Sequence, residues 1–113
     1  MKIDLREELS GGVVIRIDGD LLGGPHAEDF YQAIRKLIDQ GKTLVLVDLA
    51  GARRANSSGL GILARGFVSL KQAGGSMRVF HLSKSVDHMF KMTRFNSIID
   101  VFATEEEARA GIT

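Results

Sequence analysis

Two adjacent serines, Ser57 and Ser58, stand where a hydroxyl group can cap a helix or accept a phosphate. They belong to the segment NSSGLG, residues 56–61, which follows a strand-like run and opens a helix-like one. The first N–H groups of a helix have no internal partner and the helix dipole is positive there, so both uses are favourable. The residue types favour an ordinary N-cap. Two serines, two open glycines and the nearby Arg53 and Arg54 favour an accessible, modifiable hydroxyl.

The sequence lacks the patterns of common catalytic sites. Cysteine is absent, which excludes a disulfide scaffold, a thiolate zinc site and a Cys nucleophile, and fits a reducing compartment. The spacing of the glycines matches neither the dinucleotide-binding fingerprint nor a P-loop. A serine hydrolase is expected to carry a Gly-x-Ser-x-Gly motif, whereas residues 54–56 are Arg-Ala-Asn. His26, His81 and His88 are interpreted as surface or boundary residues rather than bases or ligands. We therefore expect no enzyme activity, no catalytic residues, no metal and no cofactor.

Length and charge limit the remaining classes. The chain has 113 residues, enough for one domain that buries about two-thirds of the surface its unfolded form exposes. Fifteen basic and 14 acidic residues give a net charge of +1, which does not suggest a nucleic-acid binder or a polybasic membrane anchor. No apolar run approaches the roughly 20 residues of a membrane span, and the charged N-terminus does not resemble a signal peptide. The expected location is the cytoplasm.

The hydrophobic period predicts the elements that position the serines. Two β-like runs, 2–9 and 13–18, are joined by Ser10-Gly11-Gly12 as a hairpin. A glycine-rich loop with Pro25 leads into an amphipathic helix that stops at Gly41. Residues 43–49 are continuously apolar, as is typical of a central strand buried on both faces.

Helices and strands alternate through the rest of the chain. In order, we expect a helix after Asn56 that stops at Gly74-Gly75, a strand 77–82, a helix 83–94 capped by Ser83 or Ser85, a strand 98–102, and a helix with a capping-box spacing of Thr104 and Glu107. The order β-β-α-β-α-β-α-β-α predicts a single α/β domain, 1–113, with a mixed, mostly parallel sheet and about four helices. Functional surfaces of such sheets lie at the carboxyl ends of strands. The loop 50–57 leaves one such end, and the loop 18–26 joins it if its strand runs parallel.

Apolar residues divide into core and surface candidates. Leu46, Val47 and Leu63 are predicted to lie in the core. Met89, Phe90 and Met92 could form a flexible binding surface, but core packing with one exposed member is the preferred interpretation.

Three segments together resemble the STAS domain of anti-sigma factor antagonists over nearly the whole chain. They are the run 45–63, the preceding Gly19-Asp20-Leu21, and the later Ala73-Gly74-Gly75 with its strand and the helix 86–90. The Ser-Ser-Gly-Leu-Gly turn between central strand and helix is the most specific element. The resemblance implies a non-enzymatic partner-switching regulator of transcription. In that logic the unphosphorylated antagonist binds an anti-sigma factor, itself a serine kinase of the histidine-kinase-like ATPase type, and phosphorylation reverses this until a serine phosphatase acts.

The resemblance also implies which residues carry the function. The phosphorylated serine of the family stands two residues before the glycine, which is Ser57 here, with Ser58 as a cap. Asn56 and Leu22 occupy positions that are often acidic in the family. The partner-binding residues expected are Asn56, Ser57, Ser58, Gly59, Arg53, Arg54 and Asp20.

Two other functions remain open at this point. The alternative is a STAS scaffold, or a ligand-responsive binding subunit of a larger assembly, that is never phosphorylated. A small-molecule or nucleotide-binding role at the same loops ranks lower. For the antagonist, a monomer or weak dimer is expected.

Overall fold

A five-stranded sheet in the order β1-β2-β3-β4-β5 organises the chain. The computed structural model describes residues 2–7, 12–24 and 27–110. The strands are β1 (Lys2–Glu7), β2 (Val13–Asp18), β3 (Leu44–Gly51), β4 (Ser76–Phe80) and β5 (Asp100–Phe102). The helices are α1 (Ala27–Asp39), α2 (Ser57–Gln72), α3 (Lys84–Met92) and α4 (Glu105–Arg109), with a 3₁₀ turn at Phe95–Ser97. Strands β1 and β2 pair antiparallel and all other neighbours pair parallel, so the predicted α/β domain with a mostly parallel sheet is confirmed.

The predicted element boundaries shift by a few residues. Helix α3 ends at Met92 rather than at Arg94, because Arg94 adopts a left-handed conformation with φ of 61°. Strand β4 ends before His81, which is also left-handed with φ of 59°. Strand β5 is shorter than predicted because the N–H groups of Ile98 and Ile99 donate to the Phe95 carbonyl of the preceding 3₁₀ turn. The predicted Ser10-Gly11 turn, Pro25 and His26 lie outside the described residues.

Glycines end the two long helices as predicted. Gly41 after α1 and Gly74 after α2 have φ of 75° and 85°, which L-residues with side chains rarely adopt. After α2, the Gly75 N–H donates to the Leu70 carbonyl at 2.8 Å, and the Gly74 N–H donates to the Lys71 carbonyl at 3.0 Å. This is the Schellman arrangement, which satisfies the last helical carbonyls and turns the chain into the next strand.

The central strand β3 is buried on both faces, as its apolar run predicts. Helices α1 and α2 cover one face, where a Cβ on Gly66 of α2 would stand 2.9 Å from the Phe30 ring of α1. Helix α4 covers part of the other face through Ala108. Leu46, Val47 and Leu63 are buried, which confirms their predicted core positions.

The methionine-rich helix α3 divides between core and surface. Phe90 is fully buried, and Met89 is partly buried against the core. Met92 is 69% exposed, which confirms the interpretation of core packing with one exposed member.

Candidate functional site

The loops after β2 and β3 run side by side at the carboxyl edge of the sheet. Because β2 and β3 are parallel, both loops leave the same edge, which settles the question the sequence left open. The Leu21 N–H donates to the Arg54 carbonyl at 2.9 Å, and the Asn56 N–H donates to the Leu21 carbonyl at 3.0 Å. These bonds form a short parallel bridge between Leu21 and Ala55. We call residues 52–58, which lead from β3 into the first residues of α2, the entry segment; the loop from β2 fixes its position.

Asn56 is the N-cap of α2. Its backbone is extended, with φ of −127° and ψ of 177°, and its Oδ1 accepts from the Gly59 N–H at 2.9 Å. The prediction that Ser58 caps the helix is therefore wrong, because the amide of Asn56 already occupies that role. Ser57 and Ser58 are the first two residues of α2, and both are exposed. The helix start thus carries two accessible hydroxyls and no acidic side chain in its first turn.

Two glycines fit the loops closely around this helix start. A Cβ on Gly59 would stand 1.7 Å from the Leu21 carbonyl oxygen, so only glycine allows this approach of helix to loop. Gly59 is buried against the loop from β2, whereas the two serines before it are exposed. Gly23 has φ of +80°, and a Cβ there would stand 2.9 Å from the Ser58 Cβ. The loop from β2 therefore lies against Ser58.

Asp20 and Arg54 form an ion pair across the two loops. The Arg54 Nη2 and Nε donate to Asp20 Oδ2 at 3.1 and 3.2 Å, and the Arg54 backbone N–H donates to Oδ1 at 3.2 Å. The side-chain hydrogen bond from Arg54 is the main cause that lowers the pKa of the Asp20 carboxyl below its ordinary value. The Arg54 guanidinium is thus engaged within the protein, and the pair holds the entry segment against the loop from β2.

A third loop reaches the same edge through Ser83. The Ser83 hydroxyl donates to the Arg53 carbonyl at 2.8 Å and accepts from the Val86 N–H at 3.1 Å, so it caps α3 as predicted. Arg53 itself is exposed, and within the described residues its guanidinium belongs to no ion pair. Of the two arginines, Arg53 is therefore the cation available to an external group.

The sequence analysis missed a polar cluster centred on Asp48. This carboxylate is nearly buried in β3 and accepts from the Ala50 N–H at 2.9 Å. His81 Nδ1 lies 3.1 Å from Asp48 Oδ1, and Arg16 Nη1 lies 3.5 Å from Oδ2. The signal was present in the sequence, because Asp48 is the one acidic residue in an otherwise apolar strand. The cluster fixes the left-handed His81 at the end of β4.

Two further findings concern metals and membranes. Within residues 2–7, 12–24 and 27–110, no group of three His, Cys, Asp or Glu side chains is arranged to hold a metal ion. None of the helices in these ranges combines the length and apolar character needed to span a bilayer.

Removing the N-cap tests the assignment of Asn56. We expect Asn56→Ala to lower the free energy of unfolding by about 1 kcal/mol, since the Gly59 N–H loses its acceptor. Ser58→Ala is the matched control and should change it by less than about 0.5 kcal/mol. Urea denaturation of both variants measures the difference. A larger loss in Ser58→Ala than in Asn56→Ala would contradict the observed cap.

Comparison with known proteins gives one family. The family model described as the STAS domain matches residues 3–108. The structure is similar to an anti-sigma factor antagonist from Mycobacterium paratuberculosis, with a TM-score of 0.81 at 19% identity, covering 98% of this chain and 92% of that one. At this identity the similarity concerns the fold.

Two solved forms of one protein are more similar in sequence. The unphosphorylated form of the anti-sigma factor antagonist SpoIIAA has 27% identity and a TM-score of 0.73, covering 95% of this chain and 94% of that one. The phosphorylated form, described as a Bacillus cell fate determinant, has 25% identity and a TM-score of 0.71, with 95% and 96% covered.

Proposed function

The chain belongs to the STAS domain family, and from this premise we propose that it is an anti-sigma factor antagonist controlled by phosphorylation of Ser57. Unmodified, it binds an anti-sigma factor that is also a serine kinase, in the cytoplasm, and phosphorylation releases it. The observation that carries the proposal is the exposed Ser57 hydroxyl at the start of α2, beside the joined loops of β2 and β3. The similarity to SpoIIAA, solved in both unphosphorylated and phosphorylated forms, supports it.

The chemistry required of this chain is that of an acceptor. The Ser57 Oγ attacks the γ-phosphorus of ATP held by the partner, its proton passes to a base of the partner, and ADP leaves. Catalysis therefore belongs to the partner kinase, and this chain contributes an accessible nucleophile on a rigid support. A serine phosphatase reverses the step by hydrolysing the phosphoserine.

The local electrostatics tolerate the phosphate on the free protein. Phosphoserine carries about −1.5 to −2 charges at neutral pH. The positive end of the α2 dipole stabilises this negative group by about 0.3–1 kcal/mol. Asn56 caps the helix without a negative charge, so it adds no repulsion next to the phosphate. Arg53 supplies an available cation in the same loop.

Docking of the partner makes the phosphate unfavourable. The proposed interface contains the exposed Ser57, Ser58 and Arg53, with Asn56 and Gly59 shaping the helix start and the Asp20–Arg54 pair bracing the loop. A phosphate buried under the partner loses its hydration, and an unpaired buried charge costs far more than a surface ion pair gains. Phosphorylation therefore blocks docking while the fold persists.

The two serines differ in their surroundings. Gly23 brings the loop from β2 to the Ser58 side, with no room for a Cβ between them. Access of a kinase is therefore more restricted at Ser58 than at Ser57. This asymmetry supports Ser57 as the acceptor.

The phosphosite is directly testable. We expect intact-mass measurement of protein from its native cell to find one phosphoryl group, and peptide mapping to assign it to Ser57. Ser57→Ala should abolish the modification and Ser58→Ala should retain it. Phosphate solely on Ser58, Thr93 or Thr104 would contradict the assignment. An unmodified protein under all growth conditions would instead support the alternative, a STAS scaffold or ligand-responsive subunit.

A further inference from the structure

Strand β1 lies at one edge of the sheet. Within the part of the chain that the structure describes, it pairs with β2 on one side and with no strand on the other. An edge strand presents unpaired backbone N–H and C=O groups that can pair with another strand. Proteins usually blunt such edges with repelling charges, so the charge pattern of β1 decides what can dock there.

An apolar side chain lies exposed on this strand. Leu5 is opposite Ile15, and Ile3 is opposite Ile17, so both belong to the helix-covered face. Ile3 packs against the core, whereas Leu5 is 53% exposed. Leu5 borders a groove of about 570 Å³ between β1 and α1, where Asp29 and Lys36 carry opposite charges. The groove therefore combines an apolar centre with charges of both signs.

The opposite face of β1 carries Asp4 and Arg6. In an antiparallel pairing with a second copy centred on Leu5, Asp4 faces Arg6 of the second copy and Leu5 faces Leu5. A register centred on Asp4 would oppose two carboxylates, and a register centred on Ile3 would overlap residues 2–4 only. Arg6 also contacts Glu105, but a guanidinium has five N–H donors and accommodates a second carboxylate.

We propose that β1 is a homodimer interface, in which a second copy of this chain adds its own β1 antiparallel with Leu5 at the two-fold axis. The pairing is isologous, since each copy contributes the same strand. None of the residues of this edge belongs to the entry segment, so the proposed pairing uses neither Ser57 nor Ser58. The proposal stands independently of phosphorylation at Ser57.

Cysteine cross-linking tests the register, because the chain contains no cysteine. Leu5→Cys should form an intermolecular disulfide on mild oxidation, since paired strands bring the two Cβ atoms to about 4.5–5.5 Å. Ile98→Cys is the matched control, because Ile98 is 54% exposed and lies far along the chain, after α3. Paired thiols have an effective concentration of about 1 mM, so we expect cross-linking at least about tenfold faster in Leu5→Cys. Equal rates for the two variants would overturn the interface.

Sedimentation velocity gives an independent measurement. The strand pair is smaller than a standard interface, so the unmodified chain should pass from monomer to dimer between about 10 µM and 1 mM. Leu5→Lys should remain monomeric, because two ammonium groups would meet at the axis, whereas Ile98→Lys should dimerise normally. A monomer at every concentration, or a dimer that survives Leu5→Lys, would overturn the proposal. Circular dichroism of both lysine variants checks that the fold is retained.

Discussion

A Ser57→Asp variant is expected to bind the cognate anti-sigma factor more weakly than the unmodified chain by at least about 3 kcal/mol, or more than about 100-fold. The carboxylate adds a charge to an exposed helix start, and docking of the partner must remove its hydration. Ser57→Ala should bind with the affinity of the unphosphorylated protein under all conditions, since it cannot be modified. Isothermal titration calorimetry with the anti-sigma factor measures both.

The control for this experiment introduces the same negative charge at a different position of the surface. Ser85 is exposed and lies in the first turn of α3, so Ser85→Asp adds the same charge at the start of a different helix. Its affinity for the anti-sigma factor should stay within a few-fold of that of the parent chain. Equal affinities for Ser57→Asp and the parent chain would contradict an interface over Ser57. If Ser85→Asp weakened binding as much as Ser57→Asp, the cause would be the net charge of the chain and not the position of the charge.

In the proposed switch, the residue that is modified differs from the residues that hold the loop in place. The side chain of Ser57 is exposed. The residues around it are fixed by two contacts, from the Gly59 N–H to the Asn56 side chain and from the Arg54 guanidinium to Asp20. Because these contacts involve neither serine hydroxyl, a phosphate on Ser57 breaks none of them. In the proposed switch, the charge would therefore act on the partner without a rearrangement of the loop.

The fold was predictable because its signals are local. The continuous apolar run of β3 indicates a strand buried on both faces, and Gly41 and Gly74 mark helix ends that need positive φ. Alternation of strands and helices then leaves few arrangements of the sheet. The end of α3 was missed because the left-handed Arg94 and the 3₁₀ turn after it have no glycine or proline to mark them.

The site was predictable in part. The position of the entry segment followed from its place after the central strand, but the choice of cap did not, since Asn and Ser are equally good caps. The Asn56 N–H is held by the Leu21 carbonyl, a contact between distant parts of the chain that orients Asn56 as the cap. The Asp20–Arg54 pair depends on the same parallel register of β2 and β3, which a single sequence does not specify.

Stability measurements separate a surface switch from a structural residue. Leu63 is fully buried between α2 and the sheet, so Leu63→Ala should lower the free energy of unfolding by about 2–5 kcal/mol through lost burial and a cavity. Ser57→Asp should change it by less than about 0.5 kcal/mol, because an acidic residue in the first helical turn complements the dipole. Urea titration should shift the midpoint strongly in the first variant and leave it near the parent in the second.

Leu63→Met serves as the control for the buried position, because a swap of similar volume costs less than about 1.5 kcal/mol. It should unfold nearer to the parent than Leu63→Ala does, which identifies the lost volume as the cause. Ser57→Asp must also keep the parent's circular dichroism spectrum if its binding defect reflects charge at the interface. If it instead unfolds as readily as Leu63→Ala, Ser57 contributes to the structure itself, and weakened partner binding would follow from unfolding rather than from a phosphate-controlled surface.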